Sequence, residues 1–163
     1  MTSLAAGDRA PDLTLFTQSG PVTIASLAAR GPVVVYFYPK DDTPACTLEA
    51  CGFRDAYEAF VDAGASVVGV SSDSAESHRR FAERHKLPFL LASDPDLVVH
   101  EAFGALKLLG LLPGRVTYVV DRERIVRHVF ESQLLPRRHV QEALEVVRRL
   151  RPEKKAPGKR DGG

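Results

Sequence analysis

An α/β fold, a β-sheet covered by helices, is predicted by three features of the sequence. Val33-Val34-Val35-Tyr36-Phe37-Tyr38 is an apolar, β-rich run without alternation, as expected of a central strand buried on both faces. Strand-like and helix-like segments then alternate over residues 66–103. Toward the C-terminal end, Val140, Leu144, Val147 and Leu150 recur at helical spacing and predict an amphipathic helix lying on the sheet. With 163 residues, 44% of them hydrophobic, the chain can bury its apolar surface in one domain, expected over residues 1–151.

Taken in order, residues 13–16 and 22–24 flank the turn-forming Gln18-Ser19-Gly20-Pro21 and read as a hairpin. The central strand, residues 33–38, is stopped by Pro39. Thr43 before Pro44 marks a helix start, with Thr as N-cap and Pro at the first helical position, where its missing N–H costs nothing. Phe53, Ala56, Tyr57 and Phe60 continue the helical spacing, so a single helix is expected to residue 63, with Gly64 ending it. A strand at 66–71, a helix at 74–85, a short strand at 89–91 and a helix at 97–103 follow. Residues 115–120 and 125–131 form a hairpin around a turn at 121–124, and the amphipathic helix occupies 137–151. Residues 152–163 hold no apolar side chain larger than Ala or Pro and are expected to be a disordered basic tail. The run Gly104-Ala105-Leu106-Lys107-Leu108-Leu109-Gly110-Leu111-Leu112-Pro113-Gly114 is more apolar than a loop should be. Core packing accounts for it; if exposed, it would line a ligand site or a dimer contact.

Composition excludes several roles. Lys and Arg, 22 in all, balance 21 Asp and Glu, so no global field draws the chain to nucleic acid or to an anionic membrane. No apolar run approaches the length needed to span a bilayer, and residues 1–10 lack the apolar core of a signal peptide, so a cytoplasmic protein is expected. The 2 cysteines are too few and too close for the framework of a small secreted domain, which favours a chemical role over a structural one. His78, His85, His100, His128 and His139 are scattered without ligand-like spacing, so no metal site is expected.

Cys46 falls at the third position of the helix that begins at Pro44. Unpaired amides and the dipole of a first turn stabilise a thiolate, the reactive form of the side chain. Inert packing is the competing account, since free cysteine is among the most buried residue types. Cys51 stands five positions on, about 140° around the helix and ~8–9 Å away between Cα atoms. A disulfide needs Cα atoms within about 7 Å, so the two can bond only if the helix partly unwinds, which suits a catalytic pair coupled to local unfolding. The Thr43 hydroxyl is expected over the same turn, within reach of the Cys46 amide or sulfur, and Pro39 is expected to shield the turn from water. Asp41 and Asp42 work against a thiolate and call for a nearby cation, which spacing alone does not identify.

The stretch Tyr38-Pro39-Lys40-Asp41-Asp42-Thr43-Pro44-Ala45-Cys46-Thr47-Leu48-Glu49-Ala50-Cys51-Gly52-Phe53-Arg54-Asp55 resembles the active-site signature of peroxiredoxins, most of all the peroxiredoxin Q branch, also called bacterioferritin comigratory protein. Pro39, Thr43 and Cys46 meet the element Pro-x-x-x-Thr-x-x-Cys, and Cys51 stands at that branch's usual resolving position. Gly7-Asp8-Arg9-Ala10-Pro11-Asp12 resembles the family's opening segment, so the likeness spans residues 4–150. Arg115-Val116-Thr117-Tyr118 fits the family's Arg-x-Thr-aromatic strand start, which makes Arg115 the candidate for the missing cation. Ala45 stands where many relatives have Gly, a small departure. Lys40, Asp41, Glu49 and Arg54 also match the branch; surface charge explains them as well, and Glu49 is the one that would support the site.

The resemblance implies a thioredoxin-like fold with a central mixed sheet, and a thiol-dependent peroxidase acting on hydrogen peroxide and organic hydroperoxides. Cys46 would be the peroxidatic and Cys51 the resolving residue, joined afterwards in an intramolecular disulfide that thioredoxin or a glutaredoxin-like dithiol reduces. Thr43, Arg115 and the first-turn amides would stabilise charge on the peroxide oxygens. No cofactor or metal is required, and a monomer or weak homodimer is expected. Two other readings stay open. A thioredoxin-type disulfide exchanger would carry Cys-x-x-Cys, whereas four residues separate this pair. A thiol redox sensor would use the same oxidation to change a binding surface, with slow turnover.

Overall fold

The unbroken apolarity of the central strand reflects two cores, one on each face of a single sheet. In the computed structural model, which describes residues 3–107, 112–133 and 135–150, the elements run β1 (Thr14–Thr17), β2 (Gly20–Thr23), α1 (Ile24–Ala28), β3 (Val33–Phe37), α2 (Pro44–Asp55), α3 (Tyr57–Asp62), β4 (Ser66–Ser71), α4 (Ala75–His85), β5 (Leu90–Ser93), α5 (Val98–Phe103), β6 (Leu106–Lys107), β7 (Leu112–Pro113), β8 (Val116–Val120), β9 (Val126–Glu131) and α6 (Pro136–Leu150). Seven strands form one sheet in the order β2-β1-β5-β4-β3-β8-β9. β3 pairs in parallel with β4, and β4 with β5; the other pairings are antiparallel, so the sheet is mixed. Alternate residues of β3 serve opposite faces: Val34 and Tyr36 pack with Phe53, Phe60, Phe81, Val140 and Val147 beneath α2, α3, α4 and α6. Val33, Val35 and Phe37 pack with Ile24, Leu27, Val99 and Phe103 beneath α1 and α5.

Several expectations shift. The first hairpin is displaced by one or two residues, and Ile24 opens a short helix, α1, rather than ending a strand; the Thr23 side chain caps it by accepting from the Ser26 amide at 3.0 Å. The single helix expected to residue 63 is two, broken where Ala56 leaves helical geometry at φ −96° and ψ 4°. Periodicity could not show the break, because Phe53 and Phe60 face the same core across it, their rings 5.6 Å apart. The apolar run after α5 is not a plain loop: residues 106–107 and 112–113 pair as an antiparallel two-stranded ribbon, and Ala105 before it is buried in the second core. Its residues 108–111 and the tail expected at 152–163 lie outside the described residues. Two glycines are set by close approach. A Cβ on Gly31, at φ +155°, would lie 2.0 Å from the Gly64 carbonyl oxygen, and one on Gly69 would lie 2.7 Å from the Tyr36 ring.

Candidate active site

Strand β3 ends under the N-terminus of α2, and the loop between them brings Pro39 and Thr43 up to Cys46. Thr43 takes the extended N-cap conformation with Pro44 after it, as expected from the sequence. Its hydroxyl, however, does not cap the helix or turn to the Cys46 amide; it donates back to the Lys40 carbonyl at 3.0 Å. Between the two, Asp42 adopts a positive φ of +64°. The first-turn amides of α2 are left without a side-chain cap. Pro39 is half-buried, and Cys46 is buried with only 1% of its surface exposed.

The cation that the sequence called for is Arg115. It lies just before β8, the neighbour of β3, and its Nη2 donates to Cys46 Sγ at 3.3 Å. Its Nη1 donates to Glu49 Oε1 at 2.5 Å. Glu49 follows Cys46 by three residues and so shares its face of the helix, which is how one guanidinium reaches both. Glu49 is more central than its sequence context suggested: it is fully buried, and burial pushes its carboxyl up to about 8 although Arg115 pulls the other way. Behind it, His139 donates from Nε2 to the Ser132 carbonyl at 2.9 Å and meets the Thr117 hydroxyl at Nδ1, 2.7 Å away. Burial lowers His139 to about 4, so its ring is neutral and its 3.5 Å approach to Glu49 Oε2 is no ion pair. Burial thus weakens the negative charge of Glu49 and keeps His139 neutral, so the Arg115 guanidinium at the sulfur is able to balance a thiolate.

The two acids that oppose a thiolate are held elsewhere. Asp41 accepts from Tyr38 Oη at 2.6 Å, from Ser77 Oγ at 2.8 Å and lies 2.8 Å from His78 Nδ1; these hydrogen bonds outweigh burial and lower its carboxyl. Asp42 meets Arg84 at 3.1 Å. Asp41, Asp73 and His78 together form a donor set of a kind that can hold a metal ion, assembled from three segments and so invisible to sequence spacing. Its atoms are already engaged: Asp73 Oδ2 accepts from the Asp41 amide and Ser71 Oγ, and His78 Nε2 from the other side faces the Ala92 carbonyl at 3.0 Å. The set therefore acts as an anchor that ties the loop before Cys46 to β4, α4 and β5.

Cys51 is half-buried in α2, one turn before the break at Ala56, and both cysteines are free thiols. Because the helix is continuous through both, a disulfide between them requires local unwinding. Cys51 Sγ lies 3.9 Å from His85 Nδ1, a neighbour that the scattered histidines of the sequence did not reveal.

Fold and site together define a class: sulfur chemistry carried by a thioredoxin-like sheet, with a buried thiol at a helix start beside a strand-borne arginine. Residues 6–129 match the AhpC/TSA family. Peroxiredoxin Q of Sedum lineare, named chloroplastic, is 48% identical over 147 residues, covering 89% of this chain and 78% of that protein. Among solved structures, the peroxidoxin BcpB from Mycobacterium tuberculosis is 38% identical, with a TM-score of 0.85 over 91% of this chain and 99% of the other. The Xanthomonas campestris peroxiredoxin Q is 31% identical, with a TM-score of 0.75 over 84% and 90%. The chain belongs to the AhpC/TSA family, in its peroxiredoxin Q branch, and is a thiol-dependent peroxidase with a thioredoxin-like fold. No helix among the described residues is long and apolar enough to cross a membrane, and the chloroplastic names of the plant relatives do not support the cytoplasmic placement expected from the sequence.

Proposed function

We propose that this peroxidase works by a two-cysteine cycle within one chain, with Cys46 peroxidatic and Cys51 resolving. The observation that carries the reading is the 3.3 Å hydrogen bond from buried Arg115 to Cys46 Sγ, with a second free thiol on the same helix. The Cys46 thiolate attacks one oxygen of ROOH; an S–O bond forms, the O–O bond breaks, and the leaving RO⁻ takes a proton to become water or an alcohol. Arg115 and the uncapped amides stabilise the charge on the oxygens during the transfer. Thr43, whose proton is committed to Lys40 O, offers its lone pairs to the peroxide O–H, which orients it. Pro39 limits the access of water. The last turn of α2 then unwinds, Cys51 attacks the Cys46 sulfenic acid, the S–O bond breaks and water leaves as the disulfide forms.

Hydrogen peroxide and organic hydroperoxides are both within this reading; a solved Xanthomonas campestris bacterioferritin comigratory protein, 29% identical, is described by its alkyl peroxide reduction activity. Thioredoxin or a glutaredoxin-like dithiol reduces the disulfide, and the chain acts as a monomer or weak homodimer without a cofactor. The reduced protein is treated with one equivalent of hydrogen peroxide, with and without Cys51→Ser, and intact mass is read under denaturing, non-reducing conditions. Monomeric wild type is expected to lose two hydrogens, and Cys51→Ser to trap a sulfenic acid or a Cys46-linked dimer. A Cys46 no more reactive than a free thiol, or only intermolecular disulfides, would end the proposal. Fast turnover with thioredoxin separates the enzyme cycle from a redox sensor.

A further inference from the structure

Resolution has a chemical requirement that the peroxide step does not meet: Cys51 must lose its proton before it can attack, because the thiolate is the nucleophile in disulfide formation. Arg115 bonds Cys46, and Cys51 stands about 140° farther around α2. What Cys51 does have is His85, the last residue of α4, with Nδ1 3.9 Å from the sulfur. The other ring nitrogen, Nε2, lies 3.6 Å from Asp42 Oδ1. Thiol, imidazole and carboxylate thus follow one another in the order that lets a ring accept a proton on one side while an acid steadies the charge on the other.

We infer that His85 is the general base for the resolving cysteine, with Asp42 as its positioning residue. The inference rests on the two-cysteine reading above. The Cys51 S–H proton passes to His85 Nδ1 while the helix is still wound. The thiolate then attacks Cys46 Sγ, the S–S bond forms, the S–O bond breaks, and the departing hydroxide takes a proton from solvent to become water, while His85 returns its proton to solvent. The imidazolium that exists between these steps is stabilised by Asp42 and by the C-terminal end of α4.

The surroundings suit this role. The ring stands edge-on to Phe81 at 5.0 Å, which fixes its plane, and the side chain is 21% exposed, so water can reach it for proton exchange. Arg54, from the turn of α2 after Cys51, donates to the His85 carbonyl at 2.7 Å and to Asp55 at 3.0 Å, clamping α2 to the end of α4. Arg84 shares Asp42 Oδ1 at 3.1 Å, so the carboxylate is held between a cation in solvent and the imidazole. Among the described residues, the charged groups bonded or paired at this corner are Asp42, Arg84, Arg54 and Asp55, and both acids are paired. The arrangement also sets a sequence of events, since the clamp holds Cys51 on its base until unwinding of α2 carries the thiolate away.

Rapid-quench single turnover of the full reduced chain with hydrogen peroxide tests the assignment, with sulfenic acid and disulfide resolved by mass from pH 6 to 9. His85→Gln keeps the carbonyl that Arg54 holds, and is expected to form the Cys46 sulfenic acid at the wild-type rate. Disulfide formation at pH 6.5 to 7 should be about tenfold slower or more, with the loss shrinking as the pH nears the range of about 8.5 where a thiol ionises unaided. Asp42→Asn, which tolerates the positive φ, should slow the same step by a smaller factor with the same pH trend, and reads the assignment independently if the histidine variant does not fold. Wild-type disulfide rates in His85→Gln across the range would overturn the inference, as would a loss that is equal at pH 9, the mark of a packing defect. If wild type itself forms no Cys46–Cys51 disulfide, the two-cysteine reading fails first and takes this one with it.

Discussion

Glu49 and Arg115 meet where water does not reach, and the pH dependence of the site follows from which of them keeps its charge. In the folded chain Glu49 holds its proton to about 8, against 4.5 for an unperturbed carboxyl. Between those values the native state binds a proton that the unfolded chain has released, so stability falls as pH rises. His139 acts with opposite sign: at about 4 folded against 6.5 unfolded, it makes stability rise with pH across that interval. The two oppose each other up to 6.5, and Glu49 acts alone from there to 8. Glu49→Gln is expected to flatten this upper window, with wild type losing on the order of 2 kcal/mol relative to the variant, read from urea midpoints at a series of pH values. Arg115→Lys should keep the charge but lose the fork that holds Glu49 and Cys46 together, lowering the second-order rate with peroxide by about 10²-fold in a stopped-flow assay while the fold is retained. Tyr36 makes a simpler case. Its hydroxyl is buried with no partner among the described residues, while its ring stacks on Phe53 at 4.5 Å, so Tyr36→Phe keeps the packing and should be neutral or stabilising by about 1 kcal/mol in a thermal melt.

At the scale of elements, the two ends of α2 are held in different ways. Its first turn is anchored through the loop by Asp41, His78 and Asp73 and by Arg115 below, whereas its last turn runs into the break at Ala56. Cys46 sits in the anchored part, and in the proposed cycle Cys51 belongs to the part that unwinds. Native-state hydrogen exchange should therefore show residues 51–56 opening far more readily than β3, and the disulfide form should lose protection throughout residues 47–56, with a matching fall in helical ellipticity. Equal protection of the two forms would contradict a disulfide that costs helix. Gly31 marks the other tight junction, between α1 and β3, where the Gly64 carbonyl leaves no room for a Cβ. Gly31→Ala should cost about 1–3 kcal/mol by strain and clash, seen as a lowered denaturation midpoint.

For the whole molecule, one sheet shared by two cores means that neither face can be exposed without stripping the other side of β3. We expect residues 1–151 to unfold as one domain, with far-UV and near-UV circular dichroism giving coincident denaturant transitions; two separated transitions would refute it. The sequence by itself determined the α/β class, the central strand, the start of α2 at Pro44, and the place of Cys46 in its first turn. These are local matters, written in an apolar run, a Thr-Pro cap and the position of a thiol in a first turn. Resemblance then pointed to Arg115, and the structure put it on the sulfur. Only the tertiary structure decided the rest: the break at Ala56, which preserves periodicity and so leaves no trace in it; the return of the Thr43 hydroxyl to Lys40; the burial of Glu49 between Arg115 and His139; and the approach of His85 to Cys51. Each depends on groups far apart in the chain meeting out of water, where burial and a neighbour's charge, rather than residue type, set what a side chain does.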